Sequence, residues 1–131
     1  MKPLQPTITG NVENIEDTKP LVVTCITTGS RPRATLQWTI RQKDVTYDAT
    51  ERSNHITASD TYTVISEFTY SLGKSDNRQV LTCKAVNVAA SSGVQTSITL
   101  NVKCKLNIIS YHFYEYCACK HSLTAELALT F

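Results

Sequence analysis

Five cysteines and three histidines are the residues of this chain best suited to chemistry. Cysteine can act as a nucleophile, bind zinc or form a disulfide, and histidine can transfer protons or bind metals. Their spacing matches no catalytic pattern, because the sequence has no Gly-x-Ser-x-Gly elbow, no glycine-rich phosphate loop and no His-Glu-x-x-His. His55 lies in a polar stretch, where a surface position is expected. We therefore expect no enzymatic activity, no catalytic residue and no cofactor.

Several of these residues cluster near the C-terminal end, together with aromatic side chains. Their types suit zinc, but Cys-x-Cys lacks the two-residue gap of a zinc knuckle, so no metal site is expected. An odd number of cysteines cannot all pair within one chain, and a second hypothesis is therefore a disulfide between two chains. A third is a variant end that replaces a further domain and is disordered or weakly helical. The residues concerned are Cys104, His112, Cys117, Cys119 and His121.

Charge and hydrophobicity narrow the range of partners. The formal net charge is only +2, and the basic residues are scattered singly without interleaved aromatic residues, so nucleic acid is not an expected partner. No stretch approaches the roughly 18 apolar residues of a membrane-spanning helix, and no apolar signal segment follows the N-terminus. Five cysteines nevertheless favour an oxidising, extracellular setting. We expect a fragment of a longer secreted or membrane-anchored protein, attached to a membrane only through its other parts.

The alternation of apolar and polar residues with a period of two predicts an all-β domain. In the segment 21–25 the alternate positions are apolar and include Cys25, which is expected to point into the core. The same alternation places Trp38 and Cys83 on inward faces of their strands. Residues 41–60 are polar and predict only short edge strands and loops. The predicted strands are 6–10, 21–25, 35–40, 61–72, 81–85 and 94–102.

Two stretches of sequence are distinctive: CITTGSRPRATLQW, residues 25–38, and LTCKAVN, residues 81–87. They resemble the constant-like immunoglobulin domains of nectin-like, nephrin-like and kin-of-IRRE-like adhesion receptors. The resemblance implies an immunoglobulin-like β-sandwich, with two antiparallel Greek-key sheets and about seven strands. It also implies a disulfide between Cys25 and Cys83 that packs against Trp38.

The resemblance divides the chain into an immunoglobulin-like domain, residues 1–103, and a cysteine-rich tail of unknown structure, residues 104–131. Leu81 departs from the common immunoglobulin pattern, because a tyrosine is frequent two residues before the second cysteine. Leu81 is expected in the core. Asp76 matches the turn aspartate of the family, which could accept hydrogen bonds from the turn backbone or pair with a basic residue such as Arg52.

The function that the resemblance implies is protein binding, in the ectodomain of a cell-surface adhesion or recognition receptor. Partners would be other cell-surface or extracellular proteins, in homophilic or heterophilic contact, and no small-molecule substrate is expected. The alternative is a secreted soluble immune or decoy factor, cross-linked through its cysteine-rich tail. Candidate contact residues lie in the basic loop 29–33 and on outward faces of the predicted strands: Arg31, Arg33, Gln37, Thr39, Arg41, Lys84 and Val86.

Overall fold

The computed structural model describes residues 1–10, 15–16, 19–108 and 111–116, which form β-strands and two short 3-10 turns. Alternating apolar and polar residues, many of them β-branched, favour extended backbone that is buried on one side. The all-β class predicted from that alternation is confirmed. The strands are β1 (Thr7–Gly10), β2 (Ile15–Glu16), β3 (Leu21–Ser30), β4 (Thr35–Ile40), β5 (Lys43–Asp44), β6 (Ala49–Ile56), β7 (Thr61–Tyr70), β8 (Val80–Asn87), β9 (Ala90–Thr99), β10 (Val102–Ile108) and β11 (Tyr111–Tyr116).

Two four-stranded sheets face each other and form a β-sandwich. The strand order is β1-β3-β7-β6 in the first sheet and β5-β4-β8-β9 in the second, and neighbouring strands in both sheets are antiparallel. A smaller sheet has the order β2-β10-β11, in which β2 is parallel to β10 and β11 is antiparallel to it. The expected immunoglobulin-like sandwich is confirmed.

The core lies between the two four-stranded sheets and consists of their inward-facing residues. In β3, Leu21, Val23 and Cys25 have at most 2% of their surface exposed, whereas the residues between them are partly or fully exposed. Leu81 and Cys83 occupy the matching inward positions of β8 and are fully buried. The Cα atoms of Cys25 and Cys83 are 6.5 Å apart, and a disulfide joins the two residues across the sheets. On a chain-entropy estimate this cross-link stabilises the fold by about 4 kcal/mol.

Trp38 lies in β4 and is fully buried. It stands opposite Cys83 in the ladder between β4 and β8, and its ring stacks on Phe68 with the centroids 4.9 Å apart. The indole Nε1–H donates a hydrogen bond of 2.9 Å to the hydroxyl of Ser66. Ser66 in turn lies opposite Cys25 in the ladder between β3 and β7. The indole and the disulfide therefore occupy the same layer of the core, and the one polar group of the indole is satisfied there.

The turn before β8 is held by two buried polar side chains, in the absence of the tyrosine that is frequent in immunoglobulin domains. Asp76 accepts a hydrogen bond of 2.8 Å from the N–H of Gly73. This confirms the expectation that its carboxylate accepts a hydrogen bond from the backbone of the turn. Asn77 accepts a hydrogen bond of 2.7 Å from the N–H of Val102 through its Oδ1 atom. These two side chains connect the turn to itself and to the start of β10.

Asp76 also pairs with a basic residue, but this residue is Arg41 and not Arg52, the example named from the sequence. The Arg41 guanidinium lies 3.4 Å from the Asp76 carboxylate. Arg52 is an exposed residue of β6, next to Glu51, whose carboxylate accepts a hydrogen bond from the N–H of Leu36 in the second sheet. Because successive side chains of a strand point to opposite faces, Arg52 is directed to the outer surface of the first sheet.

Two features of the fold depart from the local sequence pattern. The polar linker before β3 contains β2, because Ile15 and Glu16 pair with Val102 and Lys103 in β10 and Ile15 is buried. β10 continues through the boundary expected at residue 103 and forms a hairpin with β11. Cys117, Cys119, His121 and the end of the tail, which was expected to be disordered or weakly helical, lie outside the described residues. Within the described residues, no helix has the length and hydrophobicity needed to cross a membrane.

Candidate functional site

The outward face of β4, β8 and β9 carries most of the candidate contact residues. Opposite residues of an antiparallel ladder project from the same face, so the strand register defines rows across it. Gln37, Lys84 and Gln95 form one row, in that order across the three strands. Thr39, Thr82 and Ser97 form the next row. We refer to this surface as the polar face; its residues are Gln37, Thr39, Val80, Thr82, Lys84, Val86, Gln95 and Ser97.

An open depression of about 670 Å³ lies over the row of hydroxyl side chains. The Thr82 and Ser97 hydroxyls are 2.7 Å apart and form a hydrogen bond. Val80 contributes an apolar surface that is 46% exposed, while the amide of Gln95 adds further donor and acceptor atoms. The depression is therefore suited to a polar surface pressed against it.

Arg41 lies at the rim of this depression because of the turn that precedes β5. Arg41 and Gln42 form the two-residue loop between β4 and β5, with φ angles of 56° and 65°. A two-residue hairpin loop of type I′ requires positive φ at both positions. The Arg41 guanidinium is also held by its ion pair with Asp76. The turn and the ion pair together place the Arg41 side chain beside the row of Thr39, Thr82 and Ser97.

Lys84 lies in the middle row of the polar face, and its side chain runs over Gly93. A Cβ atom at residue 93 would lie 2.6 Å from Lys84 Cγ and 2.7 Å from Lys84 Cδ. Gly93 also has a φ angle of 85°, at an irregularity in the pairing of β8 with β9. The backbone conformation therefore favours glycine at residue 93, and the absence of a side chain there leaves room for the lysine stem.

A second open depression, of about 460 Å³, lies at the end of the polar face near the turn between β8 and β9. It brings together three candidate contact residues, Arg33, Gln37 and Val86. Val88, in the turn, also lines it and is 84% exposed. This end of the face therefore combines apolar surface with polar side chains at its margin, the combination found in many protein interfaces.

Arg31 lies apart from the polar face and makes contacts within the chain. Its guanidinium is 3.2 Å from the Asp60 carboxylate, and His55 Nε2 is 2.8 Å from the other oxygen of Asp60. The hydrogen bond from His55, followed by the one from Arg31, lowers the pKa of Asp60 below its usual value. Arg31 is thus separate from the other candidate contact residues. Its ion pair connects the loop after β3 to the turn before β7.

Arg33 also has an acidic partner within the chain. Its guanidinium lies 3.0 Å from the Glu51 carboxylate and 3.3 Å from the Ser53 hydroxyl, both on β6. Glu51 uses its other oxygen to accept the hydrogen bond of 2.8 Å from the N–H of Leu36. Arg33 therefore connects the loop before β4 to β6, and its side chain remains half exposed beside the second depression.

Some residues of the polar face were not identified from the sequence. Thr82, Gln95 and Ser97 share the face with Gln37 and Lys84. The alternation of residues in β9 could have identified two of them, because Gln95 and Ser97 occupy exposed positions of that strand. Their pairing with particular residues of β8 depends on the irregular register near Gly93, which the sequence pattern does not specify.

The described residues contain no group of three or more His, Cys, Asp or Glu side chains that could hold a metal ion. Three of the candidate residues of the tail, Cys117, Cys119 and His121, lie outside that part of the chain. The other two, Cys104 and His112, belong to β10 and β11. The two cysteines of the sandwich are bonded to each other and fully buried.

The disulfide across the two sheets, the buried tryptophan beside it and the strand order define an immunoglobulin domain. The chain matches the family model of the CD80-like C2-set immunoglobulin domain over residues 6–93, and it belongs to this family. Domains of this fold and family are typically binding modules without enzymatic activity.

Similar proteins carry comparable domains in longer chains. The chain is 28% identical to mouse Kin of IRRE-like protein 3 over 94 residues, which are 72% of this chain and 12% of the relative. It is 28% identical to the human protein of the same name over 102 residues, which are 77% of this chain and 13% of the relative. The chain therefore spans only a small part of the length of these relatives. Its family and these relatives place the domain outside the cell or at the cell surface.

Solved structures share the fold. The structure of Rst D1–D2 superimposes with a TM-score of 0.69 at 21% identity, covering 78% of this chain and 50% of that one. The full ectodomain of mouse nectin-like molecule 4 superimposes with a TM-score of 0.68 at 22% identity, covering 79% of this chain and 35% of that one. At these identities the likeness shows the immunoglobulin fold alone.

Proposed function

We propose that this domain binds another protein through the polar face, as a module of a cell-surface adhesion or recognition receptor ectodomain. The observation that carries the proposal is the pair of open depressions on one sheet face, with the row of Gln37, Lys84 and Gln95 beside them. The nectin-like structure is an ectodomain built from immunoglobulin domains, which is the setting proposed here for this domain. The partner is a protein of the cell surface or the extracellular space, in homophilic or heterophilic contact.

The form of the polar face favours protein binding over catalysis. Both depressions are open, whereas sites for small molecules usually enclose most of the ligand surface. Many active sites also exclude water, which an open sheet face does not do. Cys25 and Cys83 supply no nucleophile, because each is bonded to the other in the core.

The composition of the polar face suits a protein interface. A stable interface buries about 800 Å² on each partner, and its centre combines apolar contact with hydrogen bonds. Val80 and Val88 are 46% and 84% exposed and provide apolar contact at two places. The hydroxyl and amide rows between them provide directional hydrogen bonds, which fix the orientation of a partner.

Paired substitutions of two similar threonines test this proposal. Thr82 lies on the polar face, and Thr24 lies on the outward face of the first sheet, between Thr9 and Glu67. Both are partly exposed, so Thr82→Arg and Thr24→Arg add the same side chain to opposite sides of the domain. The multimerised protein is tested against a panel of extracellular proteins that includes this chain itself.

We expect Thr82→Arg to weaken binding of the recovered partner at least about tenfold, because a long charged side chain prevents close approach to the face. Thr24→Arg should leave the affinity unchanged, and equal thermal melting of the two variants verifies their folding. The proposal is wrong if Thr24→Arg abolishes binding and Thr82→Arg does not, or if both variants bind as the parent does.

A further inference from the structure

Lys84 is placed so that its ammonium group remains on the polar face. The stem of its side chain lies against the backbone of Gly93, where the atoms Cγ, Cδ and Cε would all be within 3.0 Å of an added Cβ. The absence of a side chain at residue 93 therefore lets the lysine stem lie along β9. Among the described residues, Lys84 has no carboxylate within ion-pair distance.

Amide side chains flank Lys84 on both sides. Gln37 stands opposite it on β4, and Gln95 stands opposite it on β9. Side chains that are directly opposite in an antiparallel ladder have Cβ atoms about 4.5–5.5 Å apart, so each amide side chain begins next to that of Lys84. An ammonium and two amide NH₂ groups can together donate several hydrogen bonds, and a carboxylate accepts such a set on its two oxygens.

The other charged groups near this row have partners within the domain. Arg41 lies at the rim of the first depression and is ion-paired with Asp76. The carboxylate on the adjoining strand β5, Asp44, stands opposite Thr39 and accepts a hydrogen bond of 2.8 Å from the N–H of Thr46. Asp44 is therefore engaged in its own turn, and Lys84 remains the charged group at the centre of the face.

We infer that the row of Gln37, Lys84 and Gln95 is a carboxylate-binding centre and that the partner presents an acidic segment to it. An aspartate or glutamate side chain of the partner would accept hydrogen bonds from Lys84 and from the neighbouring amides. The inference rests on the proposed function of the polar face and adds the chemistry of the partner.

The test uses the whole protein, labelled with ¹⁵N, and acetylated and amidated hexaglutamate as the probe. Chemical shifts are followed during titration, with hexaglutamine as the uncharged control peptide. We expect saturable shifts that are centred on Gln37, Lys84 and Gln95 with hexaglutamate and none with hexaglutamine. Lys84→Met keeps the stem over Gly93 and removes the charge, and it should raise the dissociation constant about three- to fivefold, as the loss of one exposed ion pair would.

Arg52→Met is the matched control, because it removes one exposed positive charge from the outer surface of the first sheet. It should leave the dissociation constant for hexaglutamate unchanged, and Lys84→Arg should retain binding. The inference is overturned by shifts that do not saturate or that centre elsewhere, or by equal effects of Lys84→Met and Arg52→Met.

The partner assay distinguishes a failure of this inference from a failure of the proposed function. If Thr82→Arg blocks the protein partner while Lys84→Met binds it normally, the face is an interface but the row is not its carboxylate-binding centre. If neither substitution changes binding of the partner, the polar face is not the interface, and both proposals are wrong.

Discussion

Replacing Ser66 with alanine is expected to destabilise the domain through the indole N–H of Trp38. Ser66 is 1% exposed and Trp38 is fully buried, and their hydrogen bond is 2.9 Å long. Without the hydroxyl, the N–H of the indole remains in the core without an acceptor. A buried donor that loses its partner costs about 1–3 kcal/mol, so the free energy of unfolding should fall by that amount.

A double-mutant cycle with Trp38→Phe isolates the hydrogen bond from other effects of the substitution. Phenylalanine has no N–H to satisfy, so Ser66→Ala should cost much less in that background than in the parent chain. The free energy of unfolding is measured for the four proteins by urea denaturation, with far-UV circular dichroism as the signal. The parent and Ser66→Ala can also be followed by fluorescence, because Trp38 is the only tryptophan.

Ser97→Ala provides the matched control. Ser97 also forms a hydroxyl hydrogen bond, with Thr82, but it lies on the exposed polar face. Its substitution should change the free energy of unfolding by less than about 0.5 kcal/mol. The reasoning is refuted if Ser66→Ala costs no more than Ser97→Ala, or if it costs the same with and without the indole.

Two further predictions concern the disulfide and a surface ion pair. Cys83→Ala should lower the free energy of unfolding by about 2–5 kcal/mol and reduce the secreted yield from an oxidising host, and unchanged melting would contradict the role of the disulfide. The ionised form of Asp60 is favoured in the folded state by His55 and then by Arg31, since its pKa is lowered from 3.8. Its stabilising effect is therefore present above pH 3.8 and is lost as the pH falls through the folded-state pKa, so Asp60→Asn should show a smaller loss of melting temperature on acidification. Identical pH profiles of parent and variant would count against this contribution.

Much of the β-sandwich could be predicted from the amino-acid sequence alone. The alternation around Cys25, Trp38 and Cys83 indicates which side chains point inward, because the period of a strand is two. The resemblance to adhesion-receptor domains then assigned the disulfide, and the structure joins these cysteines. The strand β2 was not predicted, because two residues become a strand only through their parallel pairing with distant β10.

The composition of the polar face was predicted only in part. Alternation shows that Gln37 and Lys84 point outward, but it does not reveal which residue of β9 stands beside them. That register depends on the bulge at Gly93, where the lysine stem and the glycine backbone lie in contact. The ion pair of Arg41 with Asp76 was also not predicted, because it depends on the conformation of the two-residue turn after β4.

Site-specific photo-crosslinking would test protein binding by the polar face most directly. A photoreactive amino acid is introduced at Thr82 or, in a matched protein, at Thr24, and each protein is illuminated after binding to cells that display the partner. Adducts with the partner should form from position 82 and not from position 24. Adducts from position 24 alone would assign the interface to the outward face of the first sheet and contradict the proposed function of the polar face.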